Sequence, residues 1–255
     1  VIMNNHRLFE LATPVVFAHR GAKKYAPENT LASFQKALEM GAQALELDVT
    51  LSKDGEVVVI HDDRVDRTTN GTGEVTNLTL AELKELDAGA WFSQEFAGEQ
   101  IPTLAEVLEL VQSKALINIE IKNAGKRNAE LVEKTVMLVK KTKRQESIIF
   151  SSFIPGNVKK LRIRLPGCPT GLLTLPGLLG KVEIGLLGRI SPDLIHPHYS
   201  SVNQRFIQKQ HSRFKRVHTY TVNEVELMQT LAAWGVDGFF CDDLLLAQQV
   251  LTKTS

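Results

Sequence analysis

Short apolar runs rich in β-branched residues alternate with stretches of helical apolar spacing along nearly the whole chain, and this alternation restricts the fold to repeated βα units. Pro14–His19 and Ala44–Thr50 read as the first two strands, the second extended by Val57–Ile60 after an Asp54-Gly55 turn. Ala115–Ile121, Ser147–Ser151, Pro169–Thr174, Asp193–His196, Arg216–Tyr220 and Val236–Phe240 continue the series. Helical spacing covers Leu31–Met40, Leu104–Val111, Leu131–Lys141, Asn203–Gln210, Glu224–Trp234 and Leu244–Leu251. Eight such units close into a (β/α)8 TIM barrel, with a doubly wound open sheet as the rival. The count is thinnest from Thr174 to Asp193, where Leu and Gly obscure any period. A length of 255 residues matches one barrel, so a single domain over 1–255 is expected.

One segment breaks the rhythm. From Asp62 to Ile101 about forty residues carry no clear strand, and a connection this long in a compact domain is usually functional or a small subdomain. It is expected to form an insertion after the second strand.

A net charge of +1 excludes a nucleic-acid surface that depends on bulk charge. No apolar run approaches the ~20 residues of a membrane helix, so no stable membrane anchoring is expected. Cys168 and Cys241 are far apart in no metal-like spacing, and the start, Val1–Leu11, lacks the apolar run of a signal peptide. These features point to a cytoplasmic protein. The scattered apolar residues give no readable interface, and the oligomeric state stays open.

Side chains two apart on a strand share a face. Glu46 and Asp48 therefore project together from the second strand, and Glu120 and Lys122 from the third. Buried barrel strands are normally apolar, so these charges are costly unless matched or bound to a metal. His19 and His61 follow strand patterns directly, and strand ends form the catalytic face of a barrel. Three hard carboxylates without a thiolate suit Mg²⁺ or Ca²⁺. Arg20 and Lys122 beside such an ion would make a phosphate pocket, with two histidines able to exchange acid and base roles. Taken singly, each residue has an ordinary structural reading. A strand-end histidine can be a satisfied structural residue, and Glu46 or Asp48 can pair with Arg20 or Lys122 in an ionic network. Their convergence on one mouth favours a site. Asn29 is expected to cap the following helix, and Gly21 and Gly55 to serve turns. Trp91 and Phe92 are expected to pack under the insertion, and a place for His196-Pro197-His198 at the pocket is the weaker reading.

Ala18-His19-Arg20-Gly21-Ala22, Ala26-Pro27-Glu28-Asn29-Thr30, Glu46-Leu47-Asp48-Val49 and Val59-Ile60-His61-Asp62 closely resemble the pattern of the glycerophosphodiester phosphodiesterases. Asp66-Arg67-Thr68-Thr69, Ile119-Glu120-Ile121-Lys122, Ser151-Ser152-Phe153 and Thr221-Val222-Asn223 continue it in order. The resemblance implies His19 and His61 as the catalytic pair, Glu46, Asp48 and Glu120 as ligands of a divalent metal, and Arg20 and Lys122 as phosphate contacts. It implies a small-molecule glycerophosphodiester substrate, cleaved to sn-glycerol 3-phosphate and an alcohol through a cyclic phosphate. Phe153 and Tyr220 are candidates for lining the pocket. Tyr220 stands where the family usually has Trp, and Cys241-Asp242-Asp243 departs from its usual ending, which leaves the leaving-group preference open. A lysophospholipase-D-like lipid phosphodiesterase and a non-catalytic glycerophosphodiester-binding barrel are the alternatives.

Overall fold

Each strand of the chain pairs with the strand that follows it in the next βα unit, and the first pairs with the last. The computed structural model describes residues 6–122, 125–187, 190 and 193–252. The barrel strands are β1 (Val15–Ala18), β2 (Ala44–Leu51, with short β3, Val57–Val59, folded back on its end), β4 (Leu116–Ile121) and β5 (Ile148–Ser152). They continue through β6 (Thr170–Thr174), β7 (Leu194–Pro197), β8 (Arg216–Thr219) and β9 (Gly238–Cys241). All are parallel except β3, and the pairings β1–β2 and β1–β9 close the barrel.

The helices outside the barrel are α1 (Leu31–Glu39), α3 (Leu104–Val111), α4 (Asn128–Thr142), α5 (Pro155–Arg164), α6 (Gly177–Leu187), α7 (Gln204–His211), α8 (Val225–Ala233) and α9 (Leu244–Thr252), while α2 (Leu80–Lys84) lies in the insertion. Helices α2, α5 and α6 carry no readable period. α5 buries only Asn157, Val158 and Leu161 between cationic residues, and α6 is apolar along most of its length. Asn29 does not cap α1. Thr30 does, its hydroxyl accepting from the Ser33 N–H, while Asn29 adopts φ 58° and turns inward.

Alternate residues of each strand point into the barrel. At its base Val15, Phe17, Ala44, Leu116, Ile149, Leu194 and Phe240 pack around Leu8. Leu8 belongs to a single 3-10 turn, Arg7–Phe9, that plugs the open end. The His6 ring binds the Ile148 carbonyl oxygen at 2.9 Å, and Arg216 donates to the Leu8 carbonyl oxygen at 2.9 Å. The outward residues bury two further apolar clusters against the helices. In the insertion, Val65, Val75, Leu83, Ala88 and Ile101 form a satellite core on Val58 and Ile60. Trp91 and Phe92, expected to pack under the insertion, are not part of this core: they meet edge to face, the indole N–H donates to the Ala88 carbonyl oxygen at 2.9 Å, and Trp91 stays 41% exposed.

Halfway up the barrel, His196 and His218 are fully buried with ring centroids 5.1 Å apart, and neither ring has a protein hydrogen-bond partner. His196 thus lies below the mouth rather than lining it, whereas His198 reaches the mouth beside Tyr220. Burial pushes His196 down from 6.5 to about 3, and burial with the neighbouring His196 and Arg216 pushes His218 down as well. Below pH 6.5 the unfolded chain therefore binds protons that the folded chain refuses, so stability falls as pH falls. Each imidazole is expected to contribute up to about 1.4 kcal/mol per pH unit in that window. Urea midpoints at neutral pH and at about pH 5 should converge in a His196→Leu/His218→Leu barrel. An unchanged acid sensitivity in that variant would assign the effect elsewhere.

Candidate active site

Strand register assembles the carboxylates. Asp48 of β2 stands directly beside Glu120 of β4, and Glu46 lies two residues earlier on the same inward face. One oxygen from each of Glu46, Asp48 and Glu120 lies within 4.8 Å of the others. Glu46 and Asp48 are almost completely buried. Burial, with the neighbouring carboxylates, raises Glu46 well above the usual range and Glu120 to about 7. For Asp48 burial acts the same way but is outweighed by Lys122 and Arg20, so this carboxylate stays ionised. One Asp48 oxygen, Oδ1, has no hydrogen-bond partner.

His19 follows β1 by one residue and Asp242 follows β9 by one, and the pairing of Ala18 with Cys241 sets the two side by side. His19 Nδ1 lies 2.6 Å from Asp242 Oδ1, and its Nε2 is 3.9 Å from Glu46 Oε2. His61 arrives by a different route from the one expected. β3 does not extend β2 but runs antiparallel to it, returning from beyond the mouth and delivering His61 close to Asp48. The Ile60 N–H donates to the Asp48 carbonyl oxygen at 3.1 Å. His61 Nδ1 lies 2.7 Å from Asp62 Oδ1. In both histidines a carboxylate accepts the Nδ1–H, which leaves Nε2 for the cleft. Burial lowers both imidazoles, opposed by Asp242 at His19 and by Asp48 at His61.

Arg20 and Lys122 reach the carboxylates rather than standing apart from them. The Arg20 N–H donates to Glu46 Oε2 at 3.0 Å, and its Nε lies 3.4 Å from Asp48 Oδ2. Lys122 Nζ donates to Glu120 Oε1 at 3.1 Å and sits 3.6 Å from Asp48 Oδ1. This tight turn needs Gly21, whose φ is +83° and which has no room for a Cβ against Ser33.

A second ring of residues supports these groups. Asn29 Nδ2 donates to Asp48 Oδ2 at 3.0 Å. Glu28 receives Arg20 at 2.8 Å and both terminal nitrogens of Arg67 at 2.7 and 3.0 Å, while Arg67 Nε donates to Asp62 Oδ2 at 2.6 Å. Burial alone would raise Glu28, but the two guanidiniums outweigh it and hold the carboxyl at about 2. The insertion is thereby tied through Arg67 to both His61 and Arg20. Asn223 Nδ2 donates to Asp242 Oδ2 at 2.9 Å. Glu28, Asp62, Arg67, Asn223 and Asp242 were not assigned as site residues from the sequence, although the first four lie within the family-like motifs and Asp242 has inward parity two beyond Phe240. Glu28→Gln is expected to lower activity about 10–100-fold by freeing both guanidiniums. Steady-state kinetics with unchanged circular dichroism would check this, and near-normal rates would reduce the network to packing.

His19, Arg20, Glu46, His61, Glu120, Phe153 and Tyr220 line one cleft of about 190 Å³. Phe153 meets Tyr220 edge to face at 5.9 Å, and the Tyr220 hydroxyl donates to the Thr174 carbonyl oxygen at 2.6 Å. A larger groove of about 640 Å³ opens beside Pro14, Gly41 and Leu251 at the other end of the barrel, but its lining has no titratable side chain. The chemistry therefore belongs to the smaller cleft.

Residues 19–246 match the family model described as the glycerophosphoryl diester phosphodiesterase family. A glycerophosphodiester phosphodiesterase of Caldanaerobacter subterraneus subsp. tengcongensis is 41% identical over 230 residues, covering 90% of this chain and 94% of that protein. One from Bacillus subtilis is 34% identical over 239 residues, covering 88% and 81%. The solved structure of an Oleispira antarctica phosphodiesterase in complex with the product sn-glycerol-3-phosphate superimposes with a TM-score of 0.87 at 32% identity, covering 94% of this chain and 97% of that one. On the match over nearly its whole length and on the closed parallel barrel it shares with these structures, the chain belongs to the glycerophosphoryl diester phosphodiesterase family.

Proposed function

We propose that the chain hydrolyses glycerophosphodiesters to sn-glycerol 3-phosphate and an alcohol, with His19 and His61 exchanging protons and Glu46, Asp48 and Glu120 holding a divalent ion. The observation that carries this reading is the pairing of two carboxylate-bound imidazoles with a buried three-carboxylate cluster, of which Glu46 and Glu120 line the same cleft as both rings and Asp48 lies behind them. The all-oxygen donor set and the buried Asp48 Oδ1, which accepts no hydrogen bond, fit Mg²⁺ or Ca²⁺. When bound, such an ion stabilises negative charge developing on the phosphoryl oxygens.

The side chains supply the rest. Arg20 and Lys122 bring positive charge to the cleft for the phosphate. One imidazole Nε2 accepts the proton of the attacking hydroxyl, while the other supplies a proton to the departing alkoxide. Asp62 and Asp242 each accept an Nδ1–H and turn Nε2 to the cleft. There the ring acting as base presents its lone pair, and the ring acting as acid, an imidazolium stabilised by its carboxylate, presents an Nε2–H. The attacking group is the substrate's own glycerol hydroxyl, giving a cyclic phosphate that water then opens. The fold-family resemblance supports this route, and intramolecular attack is entropically favoured.

Release of glycerol 3-phosphate from glycerophosphocholine in a coupled assay with Mg²⁺ or Ca²⁺ tests the reaction. Binding without turnover at any pH would leave a barrel that only holds the diester. A 2-deoxy analogue is expected to bind but react at least about 10²-fold more slowly, since effective molarities of oriented groups are large. Equal rates for the two diesters would rule out the cyclic route and leave direct attack by water.

A further inference from the structure

Charge is unevenly divided along the chain. Residues 134–216 hold sixteen Lys and Arg against three acidic residues, Glu146, Glu183 and Asp193, whereas the insertion, 62–101, holds three against nine. The net charge of +1 is therefore the sum of strongly charged regions of opposite sign. The insertion lies at the mouth, where Arg67 reaches Glu28. The cations gather at the other end. Lys140–Arg144 close α4, Arg162 and Arg164 close α5, and the stretch from Lys209 to Lys215 closes α7 and leads to β8. Each of these helices runs from the mouth to the base, where Arg216 at the start of β8 binds the Leu8 plug.

Two large apolar side chains stand exposed on this rim, each between two cations: Ile163 in Arg162-Ile163-Arg164 and Phe214 in Arg213-Phe214-Lys215. Ile163 is 67% exposed and Phe214 95%. The two triplets are neighbours, for burial lowers Lys215 and both Arg213 and Arg162 lower it further. Cations in a last turn suit the helix macrodipole, which accounts for Lys140, Lys141, Arg162, Arg164 and Lys209. It does not account for Arg144, Arg213 and Lys215, which lie beyond the helix ends, nor for the two apolar side chains. Phe214 also takes φ 59°, in the left-handed region where glycine is the least costly residue, and so exposed a ring gains no packing in return.

We propose that this rim docks reversibly on an anionic phospholipid bilayer, with Phe214 and Ile163 entering the headgroup layer between their flanking cations and the mouth facing away. Charge complementarity sets the sign of the partner, and each cation close to such a surface raises partitioning about fivefold. The apolar pair sets its kind. An aromatic ring and a branched aliphatic chain sink together into a headgroup layer, whereas isoleucine offers no flat face on which a nucleobase stacks. The acidic insertion, repelled by the same surface, fixes the orientation. Docking at the base leaves the cleft open to solution and the reaction at the mouth unaffected.

Co-sedimentation of the full chain with vesicles tests the docking. Binding to phosphatidylcholine vesicles holding about 30% phosphatidylglycerol is expected to be at least about tenfold tighter than to phosphatidylcholine alone, and to vanish between about 50 and about 500 mM salt. Arg162→Glu/Arg213→Glu should abolish it. Ile163→Ser/Phe214→Ser, which keeps every charge, should weaken it at least about tenfold. Its circular dichroism should be unchanged, since both side chains are exposed in the free chain. Absence of binding to the anionic vesicles, equal binding to phosphatidylcholine alone, or binding indifferent to the serine variant overturns the proposal. A duplex oligonucleotide that binds more tightly at the same salt overturns it in favour of nucleic acid. A mass in solution that falls to one chain in the serine variant overturns it in favour of a second copy.

Discussion

Thorough chelation is expected to abolish turnover, with Mg²⁺ or Ca²⁺ restoring it. The loss should exceed about 10³-fold, since Lewis-acid stabilisation of a phosphoryl transition state is worth several kcal/mol. The reason lies in the charge count at the mouth. Glu46, Asp48 and Glu120 bring three carboxyls within 4.8 Å of one another, and Arg20 and Lys122 bring two cations. Arg20 is also shared with Glu28. An ionic network alone therefore leaves the carboxyls unbalanced, and burial, added to by their mutual repulsion, is what raises Glu46 and Glu120. A divalent ion would remove that imbalance and give Asp48 Oδ1, which accepts no hydrogen bond, a ligand role beside Lys122. Full activity in a chelated sample, with metal content verified by elemental analysis, would remove the ion from the reading and leave the carboxylates as partners of Arg20 and Lys122.

His61→Ala is expected to lower kcat by about 10²–10⁴-fold while the barrel stays folded. His61 lies partly exposed at the mouth, and its ring makes its one described hydrogen bond to Asp62, so little packing is lost. His19→Ala should lose activity on the same scale, because a hydroxyl must lose a proton while an alkoxide gains one. Rates measured at saturating substrate, beside circular dichroism, separate loss of chemistry from loss of fold. Near-normal turnover by His61→Ala would remove that residue from proton transfer and require another acceptor for the hydroxyl proton.

How much of this was legible depends on the range of the interaction. The sequence by itself determined the repeated βα units through the recurrence of strand and helix patterns, since burial on both faces of a parallel strand leaves an almost continuous apolar run. The choice of closed barrel over open sheet rests on the β1–β2 and β1–β9 pairings. It also placed Glu46 with Asp48 and Glu120 with Lys122 on shared faces, because the side-chain period of a strand is a local property. Where no period exists, as in apolar α6 or cationic α5, the helices could not be read. Asn29 was misread because capping chemistry suits it as well as Thr30, and only the fold offered it Asp48 instead.

Tertiary structure alone decided which of these residues meet. The β2–β4 register sets Asp48 beside Glu120, and the β1–β9 closure sets His19 beside Asp242, 223 positions away in the chain. The β3 hairpin returns His61 to Asp48, and the insertion brings Arg67 to Glu28 across 39 positions. Register and closure arise from the packing of all eight strands around one interior, so no stretch of sequence carries them, whereas the period that points a side chain inward is written in two neighbouring residues.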